Sequence, residues 1–150
     1  MPDIRIQTQY SVFLVNKPGV LAQVTSALAD EKINIVAMTL VDSQEHGVLR
    51  FVTDDGDHVR QTLAQLNLPT TETEVLCVEL PHRPGALAGV AGLMGKNHIN
   101  INYAYVTSGS PGGHTTGVFK VADLKKAMKL LRETGGKHRE PNIRRVPSRR

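Results

Sequence analysis

From Tyr10 to Val15 the chain carries a short run of β-forming residues. After Asn16-Lys17-Pro18-Gly19 the apolar period changes, and Val20, Leu21, Val24, Ala27 and Leu28 recur at helical spacing. The switch predicts a strand, a tight turn and an amphipathic helix ending near Lys32. Pro18 suits the first helical turn, where its missing N–H has no partner to lose, and Asn16 or Lys17 is placed to cap it. Beyond it, Asn34 to Val41 reads as a strand, Asp42 to Gly47 as a hairpin connection and Val48 to Thr53 as the returning strand. Val59, Leu63 and Leu66 form the buried stripe of a second helix.

The same order then recurs. Sliding the chain by 66 positions superimposes Pro18-Gly19 on Pro84-Gly85, Leu21-Ala22 on Leu87-Ala88, Val24 on Val90, and Ile33-Asn34-Ile35 on Ile99-Asn100-Ile101. Lys17 and Arg83 keep a positive charge in register. The second copy reads as a strand over 76–80, a helix over 86–96, a strand over 100–107, a Gly-rich turn over 108–113, a strand over 115–121 and a helix from Asp123 to about Glu133. Each copy is thus a βαββα unit awaiting a last strand.

A βαββαβ unit needs about 70 residues, more than the 66-residue repeat, so the last strand of the first copy and the first strand of the second must both fit in Thr70 to Leu80. One long strand shared by both copies is the simplest solution. The expected fold class is α+β: two small ferredoxin-like domains packed together, over 1–74 and 75–136. The second copy's closing strand is sought at Asn142 to Val146, and a basic tail occupies 137–150.

Composition narrows the function. With 40% hydrophobic and 21% charged residues the chain resembles a folded soluble domain. Its apolar runs are too short for a membrane span, and Met1 to Gln9 resembles no secretory signal, so a cytoplasmic location is expected. The net charge of +4 belongs to the tail, which holds six of the 18 Lys and Arg and one of the 14 Asp and Glu. The tail contains no aromatic residue to stack on a base, so nucleic acid is not an expected partner. Cys77 is the single cysteine, set in an apolar run, and is expected to be a buried structural thiol.

The strand ending in Asn16-Lys17-Pro18-Gly19-Val20-Leu21, followed by a helix and Ile33-Asn34-Ile35, with His82-Arg83-Pro84-Gly85-Ala86-Leu87 and Ile99-Asn100-Ile101 repeating it, resembles tandem ACT domains. These are small regulatory modules of amino-acid metabolism, and the likeness covers roughly residues 9 to 134. It implies ferredoxin-like βαββαβ domains that pair side by side, an amino acid bound between domains, and a homodimer. It also implies occupancy signalled to an enzyme partner, or a stand-alone sensor. The family's ligand-contacting asparagines fall on Asn16, Asn34 and Asn100, while His82 stands where Asn16 stands in the first copy.

Elementary chemistry points to the same corners. A strand-to-helix turn presents unpaired backbone N–H groups and the positive end of a helix dipole, a seat for a carboxylate. Gly19 and Gly85 let a ligand approach the backbone closely. Asparagine both donates and accepts, as recognition of an amino acid's two charged ends requires. A good helix start is the competing reading of the Pro-Gly pairs, and a plain turn before a strand that of Asn34 and Asn100.

Other signals yield to bland readings. His82, His98 and His114 lack any short metal-ligand spacing. Ser108 to Gly113 joins two strands and lacks the lysine of a phosphate loop, so it reads as a hairpin tip. Tyr103 and Tyr105 alternate on one strand and so face the same side, as core packing or an interface would require. No catalytic signature is present, and neither an enzymatic activity nor a cofactor is expected.

Overall fold

The computed structural model describes residues 4–15, 17–42, 46–54, 56–107 and 113–134. In chain order these form β1 (Ile4–Val15), α1 (Val20–Asp30), β2 (Ile35–Asp42), β3 (His46–Thr53) and α2 (Gly56–Gln65). There follow β4 (Thr70–Pro81), α3 (Ala86–Lys96), β5 (Ile101–Val106), β6 (His114–Val121) and α4 (Leu124–Thr134). All six strands join one antiparallel sheet in the order β2-β3-β1-β4-β6-β5.

The shared strand is there: β4 runs unbroken over 12 residues. So does β1, which begins at Ile4 rather than at Tyr10. The two lie antiparallel from Ile4 opposite Val78 to Val12 opposite Thr70. Thr8 faces Glu74, which is also its counterpart 66 residues on, so a pseudo-two-fold axis passes between them and relates the two βαββαβ halves. The expected closing strand at Asn142 to Val146 lies outside the described residues. The ladder position beside β4 at that end of the sheet is filled by Ile4 and Ile6, with β6 on β4's other side.

Alternation along the central strands decides which face is buried against what. Tyr10, Val12 and Leu14 join Leu49 and Phe51 under Val24 and Leu28 of α1 and Val59 and Leu63 of α2. On the same face Leu76, Val78 and Leu80 meet Val90 and Met94 of α3 and Ala127, Met128 and Leu131 of α4, with Ile4 packed against them. Both helix pairs therefore cover one side of the sheet.

The other side folds onto itself. Ala37, Val52, Val75, Cys77 and Val118 form a third core with Tyr105, and β2 touches β5 and β6 across it. In a flat sheet β1 and β5 would stand about 14 Å apart, three strand spacings. Here Gln9 of β1 donates from Nε2 to the Tyr103 hydroxyl at 2.6 Å and accepts at Oε1 from the Tyr105 hydroxyl at 2.9 Å. The Arg50 guanidinium lies 4.2 Å from the centre of the Tyr103 ring. The sheet is thus curled with its helices outside, and the two tyrosines face the same side as their spacing predicts.

Helix starts differ from expectation in one respect. The N-cap of α1 is Gly19 (φ 90°), not Asn16 or Lys17, and it makes no side-chain cap hydrogen bond. Pro18 stands in the turn before the helix instead of in its first turn. Gly85 (φ 90°) repeats the arrangement before α3. This left-handed backbone is where a side chain is strained and glycine is not.

Candidate functional site

Because β3 lies antiparallel to both β1 and β2, the latter two run parallel and their C-terminal ends meet at one end of the sheet. There Leu14 faces Gly47, and Gly47 faces Asp42, so the three form a row whose middle member has no side chain. A Cβ placed at Gly47 would approach Leu40 Cδ1 at 3.6 Å and Val41 O at 3.5 Å. The dip over Gly47 opens into a cavity of about 240 Å³.

The strand-to-helix corner forms another wall of this cavity, contributing Lys17, Val20 and Leu21, and Leu40 and Val41 line it from β2. Most of its lining is aliphatic, but Lys17 and Asp42 bring opposite charges to it. Val15, Leu40 and Val41 are 50%, 47% and 46% exposed, a solvent-facing apolar surface that this chain leaves uncovered. The N-terminus of α1, which has no acidic residue in its first turn, adds a partial positive charge beside Lys17.

The corner's amides are not all available to a ligand. Lys17 N donates to Val15 O at 2.9 Å, and in the second copy Arg83 N donates to Pro81 O at 2.9 Å and His82 N to Gly113 O at 2.8 Å. Amides of the first helical turn are the ones that lack a carbonyl one turn earlier.

Of the sequence-derived site residues, Lys17, Val20 and Leu21 line the cavity, with exposed Pro18 and Gly19 between them in the chain. Asn16 lies outside the described residues. Asn34 is exposed and precedes β2 at the end away from Asp42, about 26 Å distant by the rise of an eight-residue strand. It therefore does not line this cavity. At the second corner His82, Arg83, Pro84 and Leu87 are exposed and Gly85 and Ala86 half-buried, while exposed Asn100 contacts Asn102 Oδ1 at 3.3 Å. Asp42, Leu40, Val41 and Gly47 were missed because they look like an ordinary hairpin. Only the parallel relation of β1 and β2 brings them to the corner.

A second cleft of about 280 Å³ lies between α2 and the start of β4, lined by Arg60, Glu72 and Tyr10 among others. Its two charges bind each other, the Arg60 guanidinium donating to Glu72 and held above its usual pKa by that hydrogen bond. The Tyr10 hydroxyl donates to Gly56 O at 2.9 Å. Among the described residues no three His, Cys, Asp or Glu side chains are grouped to hold a metal ion. Cys77 is buried, its thiol pushed up to about 11 by loss of solvent. None of the helices described is long and apolar enough to cross a membrane.

Comparison with known proteins places this architecture. No curated protein matches the sequence. Among solved structures, a protein of Bacteroides thetaiotaomicron is 30% identical, with 88% of this chain and 90% of that one covered and a TM-score of 0.80. The ligand-free regulatory subunit of aspartate kinase from Thermus thermophilus shares the fold at 13% identity, a TM-score of 0.66 and coverage of 88% and 95%. An aspartokinase structure of α and β subunits does so at 17% identity, a TM-score of 0.59 and coverage of 89% and 97%. The model of the ACT domain pair matches residues 5–136, and the chain belongs to that family.

Proposed function

We propose that this protein binds a free amino acid at its strand-to-helix corners and acts as a regulatory sensor in the cytoplasm, without catalytic activity of its own. The observation that carries this reading is the corner cavity, where Lys17, Asp42 and the N-terminus of α1 surround an aliphatic hollow of about 240 Å³. Lys17 and the N-terminus of α1 answer a carboxylate, and the aliphatic walls answer a side chain. On this reading Asn16 is a further contact at the first corner and His82 to Leu87 form the equivalent second corner, whereas Asn34 and Asn100, at the far ends of β2 and β5, serve only a ligand held against a neighbouring domain.

The family membership and the fold shared with a regulatory subunit of aspartate kinase support a regulatory role. The functional halves are 1–74 and 75–136. A homodimer is the expected assembly, because β2 and β5 are the open edges of the sheet and carry exposed Met38, Leu40, Val41 and Val106. A second reading makes the protein an interaction subunit of a separate biosynthetic enzyme with no ligand of its own. The aspartokinase α and β subunit structure that shares its fold favours it.

A thermal-shift screen of the twenty amino acids separates the two. A ligand at 100 times its Kd stabilises the native state by about 2.7 kcal/mol, about 5 to 11 °C for a chain of this length. No rise for any amino acid at millimolar concentration refutes the sensor reading.

A further inference from the structure

We infer that the outer face of α4 is a docking surface for a short acidic segment of a partner protein. The inference stands apart from the amino-acid reading above and needs no ligand at either corner.

The duplication supplies an internal control. Tyr10 faces Phe51 and Leu76 faces Phe119, so the offset of 66 between Tyr10 and Leu76 becomes 68 beyond the hairpins. Buried Val59 and Leu63 of α2 accordingly match buried Ala127 and Leu131 of α4. On the outer side Asp57, His58, Gln61 and Ala64 match Lys125, Lys126, Lys129 and Arg132, and these four cations are all exposed. α2 carries one acid and one arginine, whereas α4 carries three lysines, an arginine and one acid. The same helix is thus solvated in the first half without those cations.

Nor do the cations serve the helix itself. Lys125 and Lys126 occupy the first turn of α4, where the dipole disfavours positive charge and where α2 has Asp57. Asp123 beside them accepts at Oδ1 from the Lys126 amide at 3.1 Å, and Lys126 Nζ donates to Asn97 O at 2.8 Å. Lys129 stands 4.0 Å from Glu133, in the weaker order for a pair four residues apart. Among the described residues Lys125 and Arg132 have no ion-pair partner. With Lys129 they form one stripe of about 10 Å along the helix. The chain over 137–150 adds six more Lys and Arg.

The surroundings of α4 select the partner. It packs on β1 and β4, and α2 reaches β4 through Arg60 and Glu72, so the two helices flank the central strands on the convex side. Exposed Glu74 shares the helix-facing side of β4 with Leu76 and lies between them. A lipid surface or a nucleic-acid rod laid on this ridge would meet Glu74 and Asp57 as well as the lysines. A short run of carboxylates along α4 meets the cations without those two acids.

Fluorescence anisotropy of a rhodamine-labelled octaglutamate peptide titrated with the full chain tests this, with octaglutamine, a short DNA duplex and phosphatidylserine vesicles for comparison. The expected result is saturable binding of octaglutamate and not of octaglutamine, weakening as salt is added. Lys125→Gln together with Lys129→Gln should weaken it about threefold to tenfold. The same pair should leave Tm no lower, because it removes a cation from the first turn of the helix. Arg149→Gln together with Arg150→Gln takes the same charge from the tail and should weaken binding by less than about twofold. Equal losses in the two pairs would mean that only net charge matters and overturn the inference, as would absent octaglutamate binding or full affinity in the α4 pair. Tighter binding of the duplex or the vesicles than of the peptide, lost in the α4 pair, overturns it in favour of that other partner. None of these outcomes bears on the amino-acid reading.

Discussion

Gln9 is where the curl of the sheet can be tested most sharply. Its side chain is fully buried and joins β1 to β5 through hydrogen bonds of 2.6 Å to the Tyr103 hydroxyl and 2.9 Å from the Tyr105 hydroxyl. Gln9→Leu keeps the approximate volume but removes the acceptor of Tyr105 and the donor to Tyr103. A net hydrogen bond is worth about 0.5 to 1.5 kcal/mol and a buried unsatisfied group costs about 1 to 3. Both hydroxyls belong to half-buried residues that water can partly reach, so the lower half of the range applies and the expected loss is about 2 kcal/mol. For a chain of this length that lowers Tm by about 4 to 8 °C. Tyr105→Phe alone strands the Gln9 oxygen instead and should cost about 1 to 2 kcal/mol. In the double variant donor and acceptor leave together, so the combined loss should fall short of the sum by about 1 kcal/mol. Urea unfolding followed by circular dichroism gives all three values. Strict additivity, or a Gln9→Leu variant as stable as the parent, would refute the view that this contact holds the curl closed.

Two glycine substitutions should move stability in opposite directions. Gly19→Ala forces a side chain into a φ of 90° with nothing within 4 Å to clash, so it should cost about 1 to 2 kcal/mol from backbone strain alone. Gly92→Ala lies inside α3 with the same open surroundings and no positive φ, so it should stabilise by about 0.5 to 1 kcal/mol, both measured by urea denaturation. The Cys77 thiol, raised from 9.0 to about 11 mainly by burial, should resist alkylation at pH 8 until the protein unfolds. Because its folded pKa lies above the unfolded one, its contribution to stability is intact below about pH 9. It is lost as pH rises towards about 11, which a series of melts over that window would show.

Much of this architecture was legible from the chain. The 66-residue repeat gave the two halves, its shortness forced the shared strand β4, and the helical periodicity over Ala86 to Lys96 matched α3 residue for residue. What escaped the sequence depends on contacts made far along the chain. Ile4 to Gln7 alternates as a strand should, but four of the six residues from Ile4 to Gln9 are polar. Its reason to extend is the ladder with β4, some 70 residues away. Of its polar residues, Arg5, Gln7 and Gln9 are the ones that face the concave side. The cap at Gly19 was hidden because Asn and Lys nearby satisfied the usual expectation, whereas the tight corner required a left-handed residue. The site was half legible: Lys17, Val20 and Leu21 follow from the turn, but Asp42 and Gly47 enter only through strand order and register.

Amide resonances followed by heteronuclear NMR while the amino acid that raises Tm most is titrated into the labelled chain test the central claim residue by residue. The account predicts saturable shifts at Gly19, Val20 and Leu21 of the first corner and at Asp42 and Gly47 beside it. Shifts confined to the Arg60 and Glu72 cleft or spread along β5, with the first corner silent, would contradict it.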